Sequence, residues 1–342
     1  MVAYPIETTA IVSHVPKDGN LAWTKEKVRL RQPLEDEILV RIVASGICHT
    51  DIVMSATPAG APGFTPYPKI TGHEGSGVVE RVGNQISHVE EGDKVLLSFD
   101  YCGKDECRAC ASENPGYCLE FHSRNISGVP EVYQSEEGKA IGGLFFGQSS
   151  FAQLAIVKGT SAVNVTALVK DEEELKLFAP MGCGLQTGAG AVTELANIGP
   201  QDALAVFGLG GVGMAAIMAA KVRGAKTIIG VDRVKSRLDL AREMGATHVI
   251  DPSNLPSLTS DLVKAIRDIV PKGTNFNFDT TGVLPLIDAG VQSLHQMGQM
   301  ILIGIVSGQL GVNLGTILAV DDFEKALHDM HAGSTIKPIL LW

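Results

Sequence analysis

Hydrophobic and polar positions change period partway along the chain. Through the first third, short strand-like runs such as Glu37-Ile-Leu-Val-Arg-Ile-Val43 and Gly77-Val-Val-Glu-Arg-Val82 are separated by clusters of Gly, Pro and Asp, which predicts an irregular β-rich domain. From about Asp202, apolar strands alternate with amphipathic helical segments, the pattern of a parallel sheet with crossover helices. Five strands are predicted there: Ala203–Phe207, Thr227–Val231, His248–Ile250, Asn275–Asp279 and Met300–Ile305. A doubly wound dinucleotide fold usually has six. After Gly304 only a glycine-rich stretch remains before Asp321, where a helix over Phe323–Met330 is predicted, so the sixth strand and its helix are not visible.

A length of 342 residues is too great for one ordinary core and predicts two domains. With 38 glycines and 5% aromatic residues, an α/β protein of small and branched side chains is favoured over a large all-β sandwich. With a formal charge of −10, a surface for nucleic acid or an anionic membrane would need a local basic patch, and none is visible in the sequence, so small molecules are the expected partners. Ala203 to Ala220 carries no charge and approaches the length of a short membrane span. Its central glycine cluster and its flanks, Asp202 and Lys221, make it a strand, a turn and a helix instead. The N-terminal residues lack a basic region followed by an apolar run, and a reducing, cytoplasmic setting is expected.

Gly208-Leu-Gly210-Gly211-Val212-Gly213 follows a predicted buried strand and opens a predicted helix, the context that makes this pattern informative. The first glycine permits the tight turn, the second lets backbone approach a pyrophosphate, and the third lets helix and strand pack closely. Asp232 ends the next strand, where a carboxylate can accept hydrogen bonds from the adenosine ribose and repel a 2′-phosphate. NAD is therefore favoured over NADP, with neighbouring Arg233 and Arg237 keeping the second open and Arg237 a candidate cofactor contact.

Four of the six cysteines lie together as Cys102, Cys107, Cys110 and Cys118. In a reducing compartment this grouping predicts a closed, structural four-thiolate zinc site. Cys48 and Cys183 stand far apart and alone would read as small buried apolar residues. Cys48 is followed by His49-Thr50-Asp51, and Gly72-His73-Glu74-Gly75 lies beyond, so metal-binding side chains occur in a loop-rich region. Spacing alone does not bring them together.

These segments, with Gly182-Cys-Gly-Leu-Gln-Thr-Gly-Ala-Gly190, resemble the zinc-containing medium-chain alcohol dehydrogenases over nearly the whole chain, and within them the aryl-alcohol, benzyl-alcohol-like branch. The resemblance implies a β-rich GroES-like catalytic domain over residues 1–180 with a zinc lobe at 100–120. It also implies a Rossmann-type NAD domain over 181–314 and a C-terminal return to the catalytic domain over 315–342. It makes Cys48, His73 and Cys183 ligands of an open catalytic zinc, with Glu74 beneath the metal as an occasional ligand and Asp51 orienting His73. His49 is placed toward the cofactor pyrophosphate and Thr187 at the nicotinamide end, and Ile303 and Ile305 join the cofactor contacts. Thr50 takes the substrate's hydroxyl proton.

The implied activity is reversible oxidation of an aromatic or bulky apolar primary alcohol to its aldehyde, with NAD and two zinc ions per chain, in a homodimer or homotetramer. An aldehyde or ketone reductase of specialised metabolism acting on a large substrate is the rival enzyme reading. A zinc- and nucleotide-binding protein that has lost catalysis is the other, and the retention of all three ligand types argues against it.

Three features depart from the family. Val53 stands where many members end the proton relay on a histidine. Four residues rather than two separate Cys102 from Cys107. A few dozen residues are missing near Ala319–Val320, so either a segment is closed up in the sequence or an edge strand is deleted.

Overall fold

The computed structural model describes residues 3–18, 20–304, 317–319 and 339–341. They fall into two compact units divided between Thr187 and Gly188.

Strands of the first unit are β1 (Ile6–Lys17), β2 (Asn20–Leu30), β3 (Glu37–Gly46), β4 (Glu74–Val82), β5 (Lys94–Leu97), β6 (Val129–Ser135), β7 (Ala140–Gly143), β8 (Leu154–Lys158) and β9 (Ala162–Asn164). They form two sheets, ordered β1-β2-β6-β7 and β8-β3-β4-β5-β9. The period of two along β2 buries Val28 and Leu30 and exposes Lys27 and Arg29. The continuous apolar run of β3 has a different cause. Leu39 faces a core with Val12, Leu30 and Ile156, while Ile38 and Val40 face a second with Val79, Val95 and Leu97. A strand covered on both faces needs no polar side.

At the start of β3, Glu37 is buried and accepts two bonds from the Arg31 guanidinium, at 2.6 and 3.0 Å, and one from the Leu34 N–H at 2.9 Å. The Lys158 ammonium lies 2.9 Å away. Burial raises the cost of charging Glu37, yet these partners outweigh it and hold its carboxyl below the usual range.

Short helices punctuate this unit: α1 (His49–Ser55), α2 (Arg108–Ala111), α3 (Phe121–Asn125), α4 (Glu172–Leu177) and α5 (Gly184–Gly190), the last crossing into the second unit. In the second unit β10 (Ala203–Phe207), β11 (Thr227–Val231), β12 (His248–Ile250), β13 (Thr274–Asp279) and β14 (Leu294–Leu302) form a parallel sheet ordered β12-β11-β10-β13-β14. The crossover helices are α6 (Gly211–Val222), α7 (Lys235–Met244), α8 (Ser260–Ile269) and α9 (Leu284–Gln292). β10 is central and wholly buried. Its alternate side chains serve two cores, Leu204 and Val206 on one side, Ala205 and Phe207 on the other. The uncharged stretch from Ala203 to Ala220 is thus divided between β10 and α6, and no helix among the described residues is long and apolar enough to cross a membrane.

β14 begins at Leu294 rather than at Met300, which corrects the predicted strand. Its first half, Leu294-His-Gln-Met-Gly298, is interrupted by His295 and Gln296 and passes a register shift before Phe276 pairs with Gln299, so the apolar pattern shows only its second half. Two further strands, β15 (Ile317–Ala319) and β16 (Ile339–Leu341), pair in parallel as a separate sheet. Ile305, Val320 and the predicted helix Phe323–Met330 lie outside the described residues.

Candidate metal centres and nucleotide site

β3 ends at Gly46, and the chain turns at Cys48 into α1. Asp51, buried in the first turn of that helix, accepts the Cys48 N–H on Oδ2 at 2.9 Å. Its Oδ1 accepts the Gly72 N–H at 2.9 Å and lies 2.9 Å from Nδ1 of His73. One carboxylate therefore holds the turn that carries Cys48, the turn before β4 and the imidazole itself. With Nδ1 engaged by Asp51, the other nitrogen, Nε2, is left to bind.

Cys183 arrives from the other side of the chain's order. Gly182 packs so tightly that a Cβ there would come within 1.8 Å of the Leu97 carbonyl oxygen, so only glycine lets this segment lie against the end of β5. The Ser98 hydroxyl donates to the Gly182 carbonyl at 2.9 Å. Glu74 is buried, accepts the Gly184 N–H at 3.1 Å and lies close against Gly46.

One nitrogen of His73 and the sulfurs of Cys48 and Cys183 lie within 4.8 Å of one another. His73 Nε2 is buried and has no hydrogen-bond partner. A buried polar nitrogen with no partner is costly, of the order of 1–3 kcal/mol. A soft or borderline cation such as zinc removes that cost and suits a Cys2His donor set, which is one of the open catalytic patterns. The residues fit the metal.

Without a cation the three groups share protons unevenly. Cys183 holds the Cys48 thiol down to about 3 against the cost of burial, with His73 adding to the effect, and Cys183 itself is pushed upward by Cys48 and by burial. Burial opposes charge on His73, but Asp51 and Cys48 outweigh it and lift the imidazole to about 9. Burial also raises Glu74.

Around α2 and α3, the sulfurs of Cys102, Cys107, Cys110 and Cys118 likewise lie within 4.8 Å of one another, Cys102 and Cys110 being 3.7 Å apart. Cys107 and Cys118 are buried. The longer loop before Cys107 thus still delivers Cys102 to the cluster. All six cysteines are free thiols.

In the second unit, the glycine segment follows β10 as a turn. Gly208 takes a φ of +86°, which favours glycine. At Gly213 a Cβ would come within 1.9 Å of the Gly208 carbonyl oxygen, so α6 packs on the turn only with glycine there. Gly210 and Gly211 face open space, which leaves their backbone and that of Val212 accessible at the start of α6. Asp232 is buried just beyond β11. It accepts the Leu209 N–H on Oδ2 at 2.8 Å and the Val234 N–H on Oδ1 at 2.9 Å. Arg237 is half-exposed, its guanidinium 3.5 Å from Asp232 Oδ2. Asp232 thereby braces the glycine turn and keeps lone pairs for a ligand, because a carboxylate offers about four acceptor sites.

The remaining expected site residues are less tied to a geometry. Thr50 is half-buried in the first turn of α1, His49 and Thr187 are exposed, and Ile303 donates its N–H to the Asp279 carbonyl at 2.8 Å just past β14. Residues that the sequence did not single out surround His73. Phe146 stacks on its ring at 4.5 Å between centroids and 25° between planes, and Phe145 meets it edge-on at 5.6 Å. Buried Gln148 donates to the His73 carbonyl and accepts from Gly75.

Comparison with known proteins agrees with both units. Residues 34–167 match the family model of the alcohol dehydrogenase GroES-like domain, and residues 211–323 match that of zinc-binding dehydrogenases. A geraniol dehydrogenase from Castellaniella defragrans is 38% identical over 284 residues, covering 82% of this chain and 72% of that one. Among solved structures, an alcohol dehydrogenase zinc-binding domain protein from Burkholderia ambifaria superimposes with a TM-score of 0.80 at 33% identity, covering 98% of each chain. Benzyl alcohol dehydrogenase from Acinetobacter calcoaceticus gives 0.76 at 34%, covering 98% of this chain and 99% of the other. The chain belongs to the zinc-containing medium-chain alcohol dehydrogenases and is a zinc-dependent oxidoreductase that interconverts alcohols and aldehydes with a nicotinamide cofactor.

Proposed function

We propose that the enzyme oxidises aromatic or other bulky apolar primary alcohols reversibly to aldehydes, with NAD as the hydride acceptor. The observation that carries the proposal is the convergence of Cys48, His73 and Cys183 around an imidazole nitrogen with no other partner. The part-exposed ring of Phe146 beside His73 supports an apolar substrate, as do the relatives named for geraniol and benzyl alcohol. The buried Asp232 carboxylate supports NAD, since it would repel a 2′-phosphate. Six cysteines, none of them in a disulfide, support a reducing, cytoplasmic setting.

Zinc held by Cys48, His73 and Cys183 would supply a Lewis acid that lets an alcohol lose its proton near neutral pH. Asp51 fixes the tautomer and direction of His73, so that Nε2 is the ligating atom. Glu74, anchored to Gly184, places a carboxylate beside the cluster as an occasional ligand. Thr50 is the group proposed to accept the hydroxyl proton. Val53 cannot continue that relay, and the proton passes from Thr50 to water. Cys102, Cys107, Cys110 and Cys118 would hold a structural zinc, because four thiolates leave no position open for a substrate.

The test is a panel of aryl, terpenoid, short alkyl and polyol alcohols, scored by formation of reduced NAD with and without a chelator. Higher kcat/KM on the aryl and terpenoid alcohols, abolished by the chelator, is expected. Preference for polyols, or activity indifferent to the chelator, would sink the proposal.

A further inference from the structure

The ligands of the Cys48–His73–Cys183 cluster come from three separate segments, and two of them are already joined: Asp51 binds both the Cys48 N–H and the His73 ring. Cys183 needs a second joint. Gln148 supplies one. Its Oε1 accepts the Gly75 N–H at 3.1 Å, and its Nε2 donates to the carbonyls of His73 and Ser98, each at 3.0 Å. Ser98 in turn donates through its hydroxyl to the carbonyl of Gly182, the residue before Cys183. A path of hydrogen bonds thus runs from the His73 backbone through Gln148 and Ser98 to the peptide that presents Cys183.

The local backbone is built at a cost to deliver this side chain. Leu144, Phe146 and Ser149 all take left-handed conformations, with φ of 57°, 51° and 55°, in the segment that brings Gln148 into the interior. Such conformations are strained for residues other than glycine, and they gather where surrounding structure demands them. The same turn lays the Phe146 ring flat on the His73 imidazole. Gln148 is fully buried with both donors and its acceptor engaged, so it is a rigid strut rather than a surface amide.

We infer that Gln148 is a positioning residue for the catalytic metal, setting the separation between His73 and Cys183 by way of Ser98, as Asp51 sets that between Cys48 and His73. It touches neither substrate nor cofactor. The inference rests on the reading of the cluster as a zinc site.

The test compares the zinc-loaded wild type with Gln148→Leu, which keeps the side chain's approximate volume but none of its bonds, and with Ser98→Ala, which leaves Gln148 in place and removes the hydroxyl that donates to Gly182 and accepts from Gln186. Metal release to a chelator is followed separately for the two clusters, and the visible spectrum of the cobalt(II)-substituted protein reports ligand geometry. Loss of metal from the Cys48–His73–Cys183 cluster should quicken about tenfold in Gln148→Leu and severalfold in Ser98→Ala. Release from the four-cysteine cluster should be unchanged, and the cobalt bands should shift. Wild-type release and spectrum in both variants, or in Ser98→Ala alone should Gln148→Leu fail to fold, would overturn the inference. So would equal loosening of both clusters, which would mark a general loss of structure. A wild type that binds metal only at the four cysteines would overturn the zinc reading itself, and this inference with it.

Discussion

Asp51 and His73 face each other within the first unit, with Oδ1 2.9 Å from Nδ1 and both side chains buried. The same carboxylate accepts the N–H groups of Cys48 and Gly72. It therefore fixes both the ring and the two turns that present a metal-binding side chain. Replacement by Asn should preserve its shape while removing the charge that supports the ring. We expect Asp51→Asn to weaken zinc binding at this cluster by about 10- to 100-fold, measured by chelator competition. Unchanged affinity would show that packing alone orients His73.

Thr50 lies in the first turn of α1, two positions after Cys48. In the proposed proton transfer its hydroxyl acts only during turnover. Thr50→Ala should lower kcat by roughly 100-fold, the low end of what a positioned proton acceptor contributes, while the Kd for NAD measured by fluorescence titration stays within about twofold. Parallel losses in both would remove Thr50 from the relay.

Asp232 joins cofactor choice to the integrity of the glycine turn, because its Oδ2 accepts the Leu209 N–H. Asp232→Asn keeps an oxygen for backbone but loses the charge. The KM for NAD should rise about tenfold, equivalent to roughly 1.4 kcal/mol, and discrimination against NADP should fall. Steady-state kinetics with both cofactors checks this, and an unaltered NAD/NADP ratio would contradict the role given to Asp232.

Glu37 is a test of stability rather than catalysis. Its partners Arg31 and Lys158 depress its carboxyl in the folded protein, so the stabilisation is present above the unfolded-state value, about 4.3, and is lost as pH falls through the folded value. The thermal midpoint of the wild type should therefore drop below about pH 4.3, and Glu37→Gln should lack that component. At neutral pH, Glu37→Ala should cost about 3–5 kcal/mol by leaving the buried Arg31 guanidinium without its carboxylate. A wild-type midpoint with the same acid dependence as Glu37→Gln would contradict the assignment.

The fold was readable where a chemical rule acts over a short span. β10 and β11 match their apolar runs because each is a buried parallel strand bounded by turn residues, and β12 matches as a short edge strand with only His248 exposed. The glycine segment was equally legible, since Gly208 and Gly213 answer to steric demands within six residues of chain. The first half of β14 was not, because His295, Gln296 and Gln299 interrupt the apolar pattern while the backbone still pairs with β13. The metal cluster stands between these cases. No spacing rule links Cys48 to Cys183, and their convergence was expected only from family resemblance. Gln148 and Phe146 gave no signal at all: a glutamine in Phe-Gly-Gln-Ser-Ser reads as a loop until the left-handed turn carries it beneath His73.

Zinc content tests the central claim most directly. Two clusters of potential ligands exist among the described residues, so the purified wild type should carry about two zinc ions per chain. His73→Ala should carry about one, retain its fold and lose alcohol oxidation. A wild type with a single zinc, or a His73→Ala protein that keeps two and still oxidises alcohols, would contradict the account.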